Sequence, residues 1–327
     1  MAQTSSSNLN SQMRPILAAA LFAVFAGTAL MPAAAQKQGE EHIRIGVQLV
    51  LVDVTVKDKS GQIMSGLDKK DFIVKEDGAE QKVEEFSRDE LPLAVALVVD
   101  TSGSIKPFLE PLRAATTTAL GALKPEDSVT LFTFSSVVEH RIPLTTDKKS
   151  IAGQLEGIEA GGSTNINGAL VEAATDLVKE APGQQRVIVL VSDNVPTDPG
   201  GISAEEVTRR VVASGAAVYS LKVPGENPVE MLAMMNKMKS MKQRVNVAKL
   251  VEETGGEIFD AKNGGSVDEQ FRELIQRIKT RYTLGYYATP SNKDRLYHKL
   301  DVQLAAQFGK KGQNYLLISK SGYYTTQ

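Results

Sequence analysis

Two kinds of apolar spacing divide the chain. Residues 43–57, IRIGVQLVLVDVTVK, alternate, with apolar side chains at 43, 45, 47 and 49 and then at 50, 52, 54 and 56. A period of two is a strand with one covered face. The change of phase between Leu49 and Val50 predicts a bulge or a strand that changes sheets. DFIVKEDGAEQKVEEF (71–86) breaks at Asp77-Gly78, a pair that favours a tight hairpin turn. From residue 93 the spacing changes. LAVALVV (93–99) and RVIVLVS (186–192) are almost uninterrupted apolar runs, as strands covered on both faces must be. SVTLFTF (128–134), AAVYSLKV (216–223) and EIFDA (257–261) predict further strands, and VVEHRIPL (137–144) an antiparallel neighbour.

Helical segments lie between these runs: 106–122, 147–158, 167–179, 203–213, 246–253 and 267–279. Ser203-Ala204-Glu205-Glu206 reads as a capping box, and Gly255-Gly256 as a helix C-cap. Strands alternating with helices in this way predict a doubly wound, mostly parallel α/β sheet. After 281 the chain returns to strands, YTLGYYA, HKLDVQLAA and YLLIS. The expected organisation is therefore a leader at 1–35, a β unit at 36–92, an α/β domain at 93–281 and a second β unit at 282–327. The two β units are expected to pair, with the α/β domain inserted between them.

The leader has its own signature. Met13-Arg14 precedes ILAAALFAVFAGTAL (16–30) and the small-residue stretch PAAAQ. A positive start, an apolar core and an A-x-A site predict a secretory signal peptide cut after Ala35. The apolar run is shorter than the roughly 20 residues a membrane span needs. The expected product is an exported protein, periplasmic or extracellular, with no membrane span after cleavage.

Composition narrows the chemistry. The formal net charge is −2, which offers no basic field for nucleic acid. The chain has no Cys, so disulfides, thiolate metal sites and Cys nucleophiles are excluded. His42, His140 and His298 fall in separate β segments and read as strand or surface residues.

The candidate chemistry lies where the apolar strands stop. In a doubly wound sheet, ligands bind beyond the carboxyl ends of the strands. LAVALVV runs into Asp100-Thr101-Ser102-Gly103-Ser104, and RVIVLVS into Asp193-Asn194. Thr164, in GGSTNINGAL, precedes a helix that belongs beside them. Asp100, Ser102, Ser104, Thr164 and Asp193 are all hard oxygen donors, suited to Mg²⁺ or Mn²⁺, with Ca²⁺ a further candidate.

This pattern resembles the von Willebrand factor A domain. D-x-S-x-S at one strand end, a Thr in a Gly-rich turn and a later Asp after an apolar strand match that family's metal-ion-dependent adhesion site over about 93–281. VDVTVKDKSGQ, GLDKKDF, EDG and a closing SGYY are similar to flanks in a group of exported bacterial relatives. The resemblance implies a cation whose open position is filled by an Asp or Glu of a protein partner. The family usually carries Gly where this chain has Asn194, a residue that tolerates positive φ better than most.

Other readings compete with this one. A metal-independent scaffold would use the fold alone. A Mg-dependent phosphatase of the haloacid dehalogenase type wants a second acid where Ser102 stands. VVDTSG matches the D-T-G of aspartic proteases only in part, and neither G-x-S-x-G nor a P-loop is present. The expectation is a binding module rather than an enzyme. Finally, NPVEMLAMMNKMKSMK (227–242) predicts a helix opened by Asn227, Pro228 and Glu230. Met231, Met234, Met235, Met238 and Met241 would share one face of it. Met suits adaptable binding faces, so this stripe is a candidate partner contact, with packing onto the domain as its competitor.

Overall fold

The computed structural model describes residues 48–88, 91–198, 200–225, 243–262, 266–288, 296–308 and 315–325. The leader and the methionine segment 226–242 lie outside the described residues.

The α/β domain is built on a six-stranded sheet. Its strands are β5 (Leu93–Asp100), β6 (Ser128–Phe134), β7 (Val138–Thr145), β8 (Gln185–Ser192), β9 (Ala217–Lys222) and β10 (Ile258–Asp260), in the order β10-β9-β8-β5-β6-β7. All neighbours are parallel except β7, which runs antiparallel to β6 at the edge. Every residue of β5 is buried, because helices cover both faces. The odd-numbered residues Leu93, Val95, Leu97 and Val99 share a core with α1 (Leu109–Gly121), α2 (Lys148–Gln154) and α6 (Val267–Lys279). The even-numbered Ala94, Ala96 and Val98 pack on α3 (Ile166–Glu180), α4 (Ala204–Ser214) and α5 (Val247–Thr254). This is the doubly wound α/β fold.

The remaining strands form two antiparallel sheets. One has the order β13-β1-β11-β4, from β13 (Leu316–Ser319), β1 (Leu49–Lys57), β11 (Tyr282–Tyr287) and β4 (Glu85–Arg88). The other is β14-β12-β2-β3, from β14 (Gly322–Tyr324), β12 (Tyr297–Leu304), β2 (Phe72–Glu76) and β3 (Ala79–Gln81). Strands from before and after the α/β domain pair directly, β1 with β11 and β2 with β12. The two sheets share one apolar core, including Val52, Val54, Val74, Leu284 and Val302. Strands from both sides of the α/β segment thus build one small β frame.

Several local expectations are met. The hairpin turns at Asp77 (φ 50°) and Gly78 (φ 89°), both left-handed as a two-residue turn of this kind requires. Helix α6 has a complete capping box, Ser266 with Glu269, and α5 ends at Gly255 with φ 75°. Others differ for physical reasons. The expected helix at 147–158 stops at Gln154, and Gly157 turns the chain with φ 73°. Ser203 accepts from Glu206 N (3.2 Å), but the Glu206 carboxylate turns away to Arg209 and Arg210, so only half of that capping box forms. Pairing of β1 with β11 runs unbroken from Leu49↔Tyr287 to Val54↔Tyr282, so no bulge marks the phase change at 49–50.

Candidate functional site

The sheet reverses direction at β5. The chain steps from β5 outward to β6 and β7, then crosses back to β8 on the other side of β5. The carboxyl ends of β5 and β8 therefore flank the switch point, the place where an open α/β sheet leaves a crevice. Asp100 is the last residue of β5 and Asp193 the first beyond β8.

Three loops meet there. Gly161 N donates to Thr101 O (2.8 Å), which ties the loop before α3 to the loop after β5. Thr164 N donates to Thr197 Oγ1 (2.8 Å), and Thr197 N and Asp198 N donate back to Thr164 O (3.1 and 3.2 Å). That joins the loop before α3 to the loop after β8. Gly162 sits at φ 85°, and a Cβ there would lie 2.8 Å from Ser136 Oγ, so the turn favours Gly at this position. Asn165 then caps α3 by accepting from Gly168 N (2.9 Å).

The side chains are held within this frame. Asp100 Oδ1 accepts from Ser102 N (2.8 Å) and Oδ2 from Ser192 Oγ (2.6 Å). Ser102 Oγ and Ser104 Oγ stand 3.2 Å apart. Asp193 Oδ1 accepts from Val195 N (2.9 Å). Asp100, Ser102, Thr164 and Asp193 are buried, and Ser104 is half-buried. Among the described residues, no Lys, Arg or His pairs with either carboxylate. Burial accordingly pushes the Asp100 carboxyl up to about 6; hydrogen bonds from Ser192 and Ser102 oppose the shift, and the Asp193 charge adds to it.

Asn194 adopts φ 63°. Its backbone N–H donates to Ser192 Oγ (3.1 Å), and its side chain is bound to Ser220 Oγ of β9 (2.8 and 3.0 Å). The turn that Gly would make is thus made by Asn, held from the neighbouring strand. A cleft of about 750 Å³ opens beside Asp193 and Asn194, with Lys222, Arg244 and Lys262 in its wall.

The donor set fits a hard cation. Two carboxylates and three hydroxyl residues lie at one edge, all but Ser104 buried, and among the described residues no Lys, Arg or His pairs with the carboxylates. Ser192 and Thr197 are two members of this network that sequence reasoning passed over. A hydroxyl directly before Asp193, on a strand register opposite the end of β5, was the available signal for Ser192. The methionines 231, 234, 235, 238 and 241 lie outside the described residues.

Residues 95–195 match the family model of the von Willebrand factor type A domain. The match runs from β5 to just past β8, so this part of the doubly wound sheet is a von Willebrand factor type A domain. No curated protein matches the chain. Among solved structures, it is similar to an aerotolerance-related membrane protein from Bacteroides fragilis NCTC 9343 (20% identity, 57% of this chain and 98% of that one, TM-score 0.44). It is also similar to the vWF domain of the type V pili tip protein Mfa5 from Porphyromonas gingivalis (11% identity, 57% and 95%, TM-score 0.42). A third is a von Willebrand factor type A protein from Catenulispora acidiphila (10% identity, 80% and 71%, TM-score 0.45).

Proposed function

We propose that this protein is an exported, non-enzymatic binding module that engages a protein partner through a divalent cation. The observation that carries the reading is the pair of buried carboxylates, Asp100 and Asp193, set beside paired serine hydroxyls and, among the described residues, paired with no Lys, Arg or His. Ser102, Ser104 and Thr164 would hold Mg²⁺ or Mn²⁺, with Asp100 and Asp193 supplying charge directly or through water. When bound, the ion offers an open coordination position to an Asp or Glu of the partner. Two carboxylates balance its charge, so an incoming acid meets no net repulsion. Ser192 orients Asp100 by donating to Oδ2, and the Val195 N–H orients Asp193.

Export rests on the leader, with its positive start, apolar core and A-x-A site at Ala33–Ala35. No helix among the described residues is long and apolar enough to cross a membrane.

Mn²⁺ electron paramagnetic resonance tests the reading. Adding the metal-free protein to Mn²⁺ should remove the free-ion signal in a one-to-one titration, and Asp100→Ala should restore it. Acetate, as a minimal partner carboxylate, should tighten Mn²⁺ binding to the wild type. An undiminished free-ion signal at hundreds of micromolar protein would contradict the proposal.

A further inference from the structure

The β frame holds a second group of metal-ligating side chains, remote in sequence and fold from Asp100. Glu76 ends β2, Asp77 opens the turn that follows, and His298 lies on β12, the antiparallel neighbour of β2. His298 Nδ1 stands 2.9 Å from Asp77 Oδ2 and 3.3 Å from Glu76 Oε1. One ligand atom from each residue falls within 4.8 Å of the other two. His298 and Glu76 are buried, at 3% and 5% exposure.

The arrangement exceeds what an imidazole alone requires. Nδ1 carries at most one proton and can donate it to one oxygen, yet two carboxylate oxygens face it. A metal at 2.0–2.1 Å from each ligand in tetrahedral geometry sets its ligand atoms about 3.3 Å apart, and the longer of the two separations from Nδ1 matches that value. The other oxygen of each carboxylate is already anchored. Glu76 Oε2 accepts from Tyr286 OH (2.6 Å) and Tyr323 OH (3.3 Å), and Asp77 Oδ1 accepts from Lys299 N (3.0 Å). The His298 ring stacks on Tyr323 (centroids 5.2 Å apart, planes at 22°). One oxygen of each acid is thus tied outward while the other turns toward the imidazole, the way outer partners orient metal ligands.

We propose that Glu76, Asp77 and His298 form a site for a divalent ion of the Zn²⁺ class, separate from the sheet-edge site. An imidazole nitrogen with two carboxylates selects Zn²⁺ or a similar transition metal over Mg²⁺. The half-buried Asp77 side leaves the fourth position to water. The ion joins β2, its turn and β12, and through Tyr286 of β11 it reaches the opposite sheet, so its role is to brace the frame.

The test is Zn²⁺ titration calorimetry on the full, metal-stripped chain carrying Asp100→Ala, which silences the sheet edge. The visible absorption of Co²⁺, which strengthens in a tetrahedral site, serves as the second readout. One Zn²⁺ should bind per chain, and Co²⁺ should give the tetrahedral bands. Adding His298→Gln or Asp77→Asn should weaken Zn²⁺ binding at least about tenfold. Asp77→Asn keeps the turn, since Asn accepts positive φ, and so guards against a variant that fails to fold. No Zn²⁺ binding at micromolar metal, or binding unchanged by both substitutions, would overturn the proposal. Because Asp100 is absent throughout, failure here leaves the sheet-edge reading standing.

Discussion

The carboxyl edge of the parallel sheet and the core of the β frame both bury carboxylates, and they satisfy them differently. In the frame, Glu76 accepts from two tyrosine hydroxyls and faces His298, an imidazole able to carry positive charge. At the edge, Asp100 receives one amide and one serine hydroxyl and no positive partner among the described residues. Asp127 supplies a third case: it is buried, and its two oxygens accept from Leu93 N and Lys124 N (2.9 and 2.8 Å) at the start of β5. Hydrogen bonds therefore suffice to hold a carboxylate in place in all three sites. At the edge a second buried carboxylate, Asp193, is brought near the first, and among the described residues no Lys, Arg or His pairs with either. That charge imbalance separates the edge from the cap at Asp127 and from the frame, where an imidazole stands beside the two acids.

The largest expected effect lies in the frame. Glu76→Ala strips the acceptor from Tyr286 and Tyr323 and the neighbour from His298, and breaking a buried charged network typically costs about 3–5 kcal/mol. Chemical denaturation should show a loss of that size; a loss under about 1 kcal/mol would remove the frame from the comparison. The edge should respond in the opposite direction. In EDTA, Asp100→Asn should stabilise the protein at pH 8 by on the order of 2 kcal/mol, because it deletes an unbalanced buried charge. Folding favours the protonated form of Asp100, whose carboxyl titrates near 6 rather than at its ordinary value. The penalty is therefore fully present above about pH 6 and is relieved as pH falls toward 4, where variant and wild type should converge. A wild type more stable than Asp100→Asn at pH 8 without metal would contradict this.

Smaller effects sharpen the picture at Asn194. Asn194→Ala puts a side chain without local hydrogen bonds at φ 63° and cuts the link to Ser220, which should cost about 1–2 kcal/mol. Asn194→Gly loses the same link but relieves the backbone, so its melting midpoint should shift by the equivalent of under about 1 kcal/mol. If Gly proved as costly as Ala, the Ser220 link rather than backbone conformation would dominate.

The α/β half was legible because its signals are local. Unbroken apolar runs marked β5 and β8, and Ser266 and Gly255 marked helix ends by their own side-chain and backbone chemistry. An Asp directly after each run falls at the carboxyl edge by counting alone. The β frame was harder. The network around Glu76 joins residues more than two hundred positions apart, and no local period announces such a contact. His298 reads as an ordinary strand residue until β12 pairs with β2. Ser203 shows the limit of motif reading: the Glu206 that should complete its box has two arginines within one turn, and it binds them instead.

The most direct measurement is the melting temperature of the protein in EDTA and in millimolar Mg²⁺, beside Asp100→Ala. A cation that binds only the folded state stabilises it by about 2.7 kcal/mol at a hundred times its dissociation constant. The account predicts a rise of several degrees with Mg²⁺ in the wild type and none in Asp100→Ala. Equal melting temperatures with and without Mg²⁺ in the wild type would contradict it.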